Sequence, residues 1–181
     1  MAMTGPAELR RRARRAYEWG RLRHAAARAW PALPLTALSS WLCHEPWLST
    51  IIGASLFVLA AGLIWYGRIA ARAASAGLRT GIVAFAIPVL AFQSYLAPYC
   101  STLSGMLLVN GATGVVVGVL LSIESARLQT HRDLFLALAS AIAALCGLLG
   151  CVLFGPPGLA GMAAGIFLST APVAIYRRAI A

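Results

Sequence analysis

The sequence predicts an all-α, polytopic membrane bundle of six transmembrane helices with both ends in the cytoplasm. Three observations carry that expectation: 60% of the 181 residues are hydrophobic, only 11% are charged, and the arginines fall into alternate gaps between apolar blocks. Soluble domains carry about 25% charged residues, and a water-soluble chain of this length would not hold so much apolar sequence on its surface. Lipid is the natural solvent for the excess.

The N-terminal segment, residues 1–29, reads as a basic arm. Pro6 to Trp30 has the character of a helix and carries eight arginines, Arg10, Arg11, Arg12, Arg14, Arg15, Arg21, Arg23 and Arg28. They are not confined to one clean face. Leu9, Tyr17, Trp19 and Leu22 suit a membrane boundary, with Arg10, Arg11, Arg12, Arg14 and Arg15 positioned to meet anionic headgroups or a partner. The first apolar stretch runs on into further spans without a clear cleavage site, so the arm is expected to be retained.

Six apolar blocks follow, at about 30–43, 47–66, 82–99, 103–123, 134–154 and 159–176, and residues 177–181 form a short tail. The first block is short against the roughly 20 residues a span needs. It can be completed by residues before Trp30, with Arg28 snorkelling to the interface. The third contains Pro88 and is expected to kink there. Short connections at His44–Pro46, Gly67–Gly81, Cys100–Thr102, Glu124–Asp133 and Gly155–Gly158 leave no room for a further folded domain.

Charge orients the spans. With the amino terminus inside, the inner segments hold eight, three, two and two arginines, which accounts for all 15 basic residues, and the outer turns hold none. The aromatics follow the same division, with Trp30, Trp65, Tyr66 and Tyr176 expected at the inner edge and Trp41, Trp47 and Tyr99 at the outer one. The net charge of +10 therefore reads as topogenic, and no direct nucleic-acid binding is expected.

Inside the bilayer, small residues mark close helix contacts. Gly114 and Gly118, and Gly161 and Gly165, each fit the glycine-every-fourth spacing, and Gly147 with Gly150 adds a third smooth patch. Gln93 and Asn110 fall in the outer third of adjacent helices, where an amide hydrogen bond between them would satisfy two groups that lipid cannot. The same pair could instead line a path for a solute.

The outer face collects the reactive side chains: Cys43, His44 and Glu45 at the first outer turn, Cys100 at the second, and Cys151 near the end of the fifth span. Three uses are open to them. They can pair as disulfides on an oxidising side, ligate a soft or borderline metal, or serve as small apolar residues. No resident cofactor is expected beyond a metal at these outer cysteines. No constellation amounts to an active site, so an enzyme is not expected. The spans lack a central carboxylate or basic residue, which argues against a proton-coupled pump.

In layout the chain resembles the six-span membrane anti-sigma factors of bacteria, of the NrsF and CarR type. Cys43, Cys100, Cys151 and the Arg10–Arg28 arm carry the resemblance, which covers the whole chain as topology. It implies a regulator in the bacterial inner membrane, in which an outer stimulus acting on the membrane domain releases a cytoplasmic sigma factor; the outer cysteines suggest metal or redox state as that stimulus. The alternatives are a small-solute or metal transporter or channel subunit, and a membrane assembly or structural factor.

Overall fold

A computed structural model describes residues 6–42, 46–94, 102–128, 130–151 and 156–180, with side chains described at 8–42, 46–94, 102–128, 130–150 and 157–171. Among these residues every regular element is an α-helix: α1 (Pro6–Ala29), α2 (Ala32–Leu42), α3 (Pro46–Tyr66), α4 (Arg68–Gln93), α5 (Leu103–Ala126), α6 (Arg132–Cys151) and α7 (Pro156–Ile180). Four are long and apolar enough to cross a bilayer, namely α3, α4, α5 and the Arg132–Gly150 stretch of α6. The arrangement is compatible with a multi-pass membrane protein. Two shorter apolar helical stretches, Ala32–Leu42 and Pro157–Ala171, accompany them.

α1 starts at a proline, which suits a first helical position because its missing N–H has no partner there anyway. Glu8 in the first turn opposes the positive end of the helix dipole. Arg12 pairs with Glu8 at 2.8 Å and Arg14 with Glu18 at 3.1 Å, both one turn apart and exposed. Pro31 cannot continue the helix, so the chain turns at Trp30–Pro31 and restarts as α2.

α2 has only 11 residues, about 16 Å of helix, half of what a span needs. The last turns of α1 supply the rest. Arg21 donates to the carbonyl oxygen of Trp65, Thr36 fills the gap left by Gly53, and Ser39 bonds to Ser49 at 3.1 Å. As one number rises the other falls, so Arg21–Leu42 runs antiparallel to α3 along its whole length, broken only at Trp30–Pro31. Packing therefore starts nine residues before the expected boundary at Trp30. Trp30 lies about 13 Å along the helix from the level of Trp65, so the two rings do not share one edge of the bundle.

The expected connection at Gly67–Gly81 and the described part of the span at 82–99 form one continuous helix; residues 95–99 lie outside the described residues. α4 begins directly after Gly67 and runs through Pro88 to Gln93. Its buried face is made almost wholly of small residues, Ala70, Ala73, Ala74, Ala76, Gly77, Gly81 and Ala84, while Arg68, Arg72 and Arg79 are exposed. Arg79 thus stands on a spanning helix, about 16 Å along from Arg68, and not in a loop.

Two parallel pairs form the rest of the bundle. Gly77 of α4 lies against Ala139 and Ile142 of α6, Gly81 against Ala143 and Cys146, and Phe85 against Gly150. Gly111, Gly114 and Gly118 of α5 lie in the same order against Gly161, Gly165 and Ser169 of α7. These are the two most extensive helix contacts. A Cβ at Gly77 would stand 2.7 Å from the Ala139 carbonyl oxygen, and one at Gly161 2.8 Å from that of Leu107. Larger residues would force the backbones apart, and close backbone approach is what holds helices together where lipid removes the hydrophobic drive.

The three pairs stack as layers, with α4 and α6 in the middle. One core cluster joins α1, α2 and α3 to α4 and α6, through Ala29, Leu35, Leu56, Leu78, Ile142 and Leu149. The other joins α4 and α6 to α5 and α7, through Ala84, Val117, Leu121, Phe135 and Met162. In agreement, the apolar windows of α4 and α6 are 50% and 44% buried, against 28% for α3 and 33% for α5.

Candidate functional site

The feature that the packing sets apart is α1. Its C-terminal turns are seated on α3, with Ala25 and Ala29 buried, while residues from Glu8 to His24 are exposed. The helix is unbroken from Pro6 to Ala29. Since its seated half follows α3, the free half must continue past the Trp65 end of the bundle, by about 20 Å from Arg21 to Pro6. Arg10, Arg11, Arg12, Arg14 and Arg15 all lie on this projecting part.

The seat is built on Trp65. The Arg21 guanidinium donates to the Trp65 carbonyl oxygen and stands 5.8 Å from the Tyr17 ring centroid and 6.0 Å from that of Trp65. Both distances are at the limit for attraction between a cation and a ring face. Trp65 lines a groove on each flank of α1. On one side Tyr17, Gly20, Arg21, His24 and Ile64 enclose about 360 Å³ without a carboxylate. On the other, Arg15, Glu18, Trp19 and Leu22 border about 490 Å³.

Arg10, Arg14, Tyr17, Arg21, His24 and Arg28 follow one another at alternating steps of four and three residues. That spacing stacks them on one face of a helix. Counting all eight arginines together hides this stripe; the four-three step was the signal available in the sequence.

The other predicted residues are dispersed. Asn110 and Thr113 are fully buried on successive turns of α5, and each donates within its own helix, Asn110 to the Met106 carbonyl at 2.8 Å and Thr113 to that of Val109 at 2.7 Å. Gln93 is exposed at the end of α4. Along the α5–α7 seam Gly114 meets Gly165, while Gly161 lies against Leu107 and Gly111 and Gly118 against Ser169 and Ile166. Cys43, His44, Glu45 and Cys100 fall outside the described residues, as does the side chain of Cys151. Cys146 is buried and fills the space beside Gly81. Among the described residues no three metal-ligating side chains come together.

A buried polar contact closes the opposite end of the seat. Ser39 of α2 donates to the Leu149 carbonyl oxygen of α6 at 2.8 Å and lies 3.1 Å from the Ser49 hydroxyl of α3. It ties the outer layer to the central one. Between α5 and α6, Arg132 donates to the carbonyl oxygens of Leu128 and, at 3.4 Å, Ala126, so a cation closes the C-terminal end of α5.

These geometries define a helical bundle with a basic helix docked on its side. Comparison with known proteins adds no relative: no family model, curated protein or solved structure matches the chain.

Proposed function

We propose that this chain is a regulator embedded in the bacterial inner membrane, with six spans, both ends in the cytoplasm, and α1 as the element that a cytoplasmic partner contacts. The spans are α2 completed by the last turns of α1, then α3 to α7. A metal or redox change at the outer group of Cys43, His44, Glu45, Cys100 and Cys151 is the stimulus this reading assigns.

The observation that supports it is the continuity of α1. One rigid helix is both a wall of the bundle and a projecting basic rod, so a shift at its seat moves the rod as a whole. An anti-sigma-like role needs that kind of mechanical link between membrane domain and partner. A solute path lined by Gln93 and Asn110 draws less support, because Asn110 is sealed in a helix contact and Gln93 is at a helix end.

The test is co-purification from membranes in mild detergent, comparing the full chain with a variant carrying Arg10→Glu, Arg11→Glu, Arg14→Glu and Arg15→Glu. The full chain should retain one cytoplasmic protein in near-stoichiometric amount, and the variant should lose it while remaining in the membrane. Identical sets of bound proteins would refute the role of α1.

A further inference from the structure

We propose that the groove between α1 and Trp65 holds the phosphate of an anionic phospholipid, with Arg21 as its cation, His24 as a further hydrogen-bond donor, Tyr17, Ile64 and Trp65 as its apolar walls, and Arg28 reaching in from the next turns of the same face of α1. The site rests on reading the bundle as membrane-embedded, but not on the regulatory role.

The chemistry of the lining favours this occupant. No carboxylate borders the groove, and the nearest one on α1, Glu18, is held by Arg14 at 3.1 Å. Arg21 uses part of its five-donor guanidinium on the Trp65 carbonyl, and the remaining N–H groups stay available for an anion. His24 is exposed on the next turn. The rest of the wall is rings and aliphatic carbon, which suits a glycerol backbone and the first acyl carbons better than a free, fully hydrated ion. Tyr17 and Trp65 have the amphipathic form typical of the headgroup level.

Arg28 supplies the second argument. It lies on the same stripe, seven residues beyond Arg21 and about 10 Å further toward the Pro46 end of α3. It is exposed, and the adjacent Ala29 packs among Ala60, Ala61 and Leu56. Among the described residues it makes no ion pair. A guanidinium at an apolar flank is expensive unless it meets an anion or extends to the interface. Arg28 does not line the groove itself, but extension along the stripe would carry it toward a phosphate held there by Arg21.

Native mass spectrometry on the purified full chain tests the site, with phosphatidylglycerol and phosphatidylcholine of matched acyl chains as probes and inorganic phosphate as competitor. One phosphatidylglycerol should be held in preference to phosphatidylcholine. Arg21→Gln and Arg28→Gln should each weaken it by about fivefold. Arg127→Gln, at the exposed end of α5 and away from the groove lining, should change nothing. Arg28→Gln removes no contact of the seat, so it reads the site even if Arg21→Gln loosens α1.

Equal retention of the two lipids, or unchanged binding in both variants, would overturn the proposal. Displacement of the lipid by inorganic phosphate would overturn the lipid as occupant in favour of a soluble anion. A chain that did not fractionate with membranes would instead sink the membrane reading itself.

Discussion

The seam between α5 and α7 makes a sharp prediction about three alanine substitutions. A Cβ at Gly62 would have nothing within 4 Å; one at Gly111 would lie 3.6 Å from the Gly161 carbonyl oxygen; one at Gly114 would stand 2.9 Å from the Ile166 nitrogen and 3.0 Å from the Gly165 Cα, and nearer still to the Met162 carbonyl oxygen. The same change is made each time, from glycine to alanine inside a helix, so the gain in helix propensity is common to all three. What differs is the neighbour. At Gly114 the neighbours are backbone atoms of α7, which cannot rotate away, and ordinary contact begins only at 3.4 Å. The helices must part, and a parallel seam opens along its length, forfeiting dispersion at every level. Overpacking of this kind costs about 1–3 kcal/mol. For a chain of this size each kcal/mol moves the melting temperature by about 2–4 °C. Thermal unfolding in detergent, followed by tryptophan emission, should therefore place Gly114→Ala between about 2 and 12 °C below Gly62→Ala, with Gly111→Ala close to Gly62→Ala. If all three melt together, the seam is not packed as described.

Three further outcomes follow from particular residues. His131 holds a φ of 56° at the start of α6, a conformation that costs an L-residue roughly 1–2 kcal/mol; His131→Gly should raise the melting temperature and His131→Val lower it, and the reverse order would show that the turn is not left-handed. Ser39→Ala removes the link to Leu149 and Ser49 and should cost about 0.6–1 kcal/mol, whereas Ser55→Ala, whose exposed hydroxyl bonds only to Ile51 in its own helix, should stay within about 0.5 kcal/mol; equal losses in the same unfolding assay would remove the layer-linking role of Ser39. Reporter fusions should place Gly67 and the amino terminus on one side and Glu45 on the other; opposite signals from Gly67 and the amino terminus would overturn the proposed topology.

What could be read from the sequence depended on how clean each apolar run is. α3 and α5 are uninterrupted between breakers, and their bounds differ little from the blocks at 47–66 and 103–123. Three arginines in fifteen residues give the Gly67–Gly81 stretch the composition of a connection. Its period tells otherwise: Ala70, Ala73, Ala74, Gly77 and Gly81 fall on one face, and Arg68, Arg72 and Arg79 on the other. Alanine and glycine score weakly as apolar, so a composition window misses a face whose use is closeness and not hydrophobicity. The parallel pairing of α4 with α6 and of α5 with α7 was not legible at all. Spacing marks which face of a helix is smooth, but nothing local says which other smooth face it meets. The site on α1 was half legible. The arginines were visible, but the ring they straddle lies 44 residues on from Arg21.

That contact across the sequence makes α1 part of the bundle wall. A basic arm tethered by a flexible segment would feel nothing of the bundle's state, since a loose chain transmits no displacement. Here the interruption of the helix falls at Trp30–Pro31, inside the packed region, and not at the edge where arm and bundle meet. The helix that carries the arginines is thereby fixed at its base by Ala25 and Ala29, and at mid-length by Arg21 on Trp65. Over the roughly 20 Å beyond Arg21, a small tilt at the seat becomes a larger displacement at Arg10 and Arg11. A lipid phosphate in the groove would bear on the same pivot, because it would bind the spare N–H groups of the guanidinium that holds α1 to α3. A lipid held there as proposed would link the composition of the surrounding leaflet to the position of the rod through one side chain.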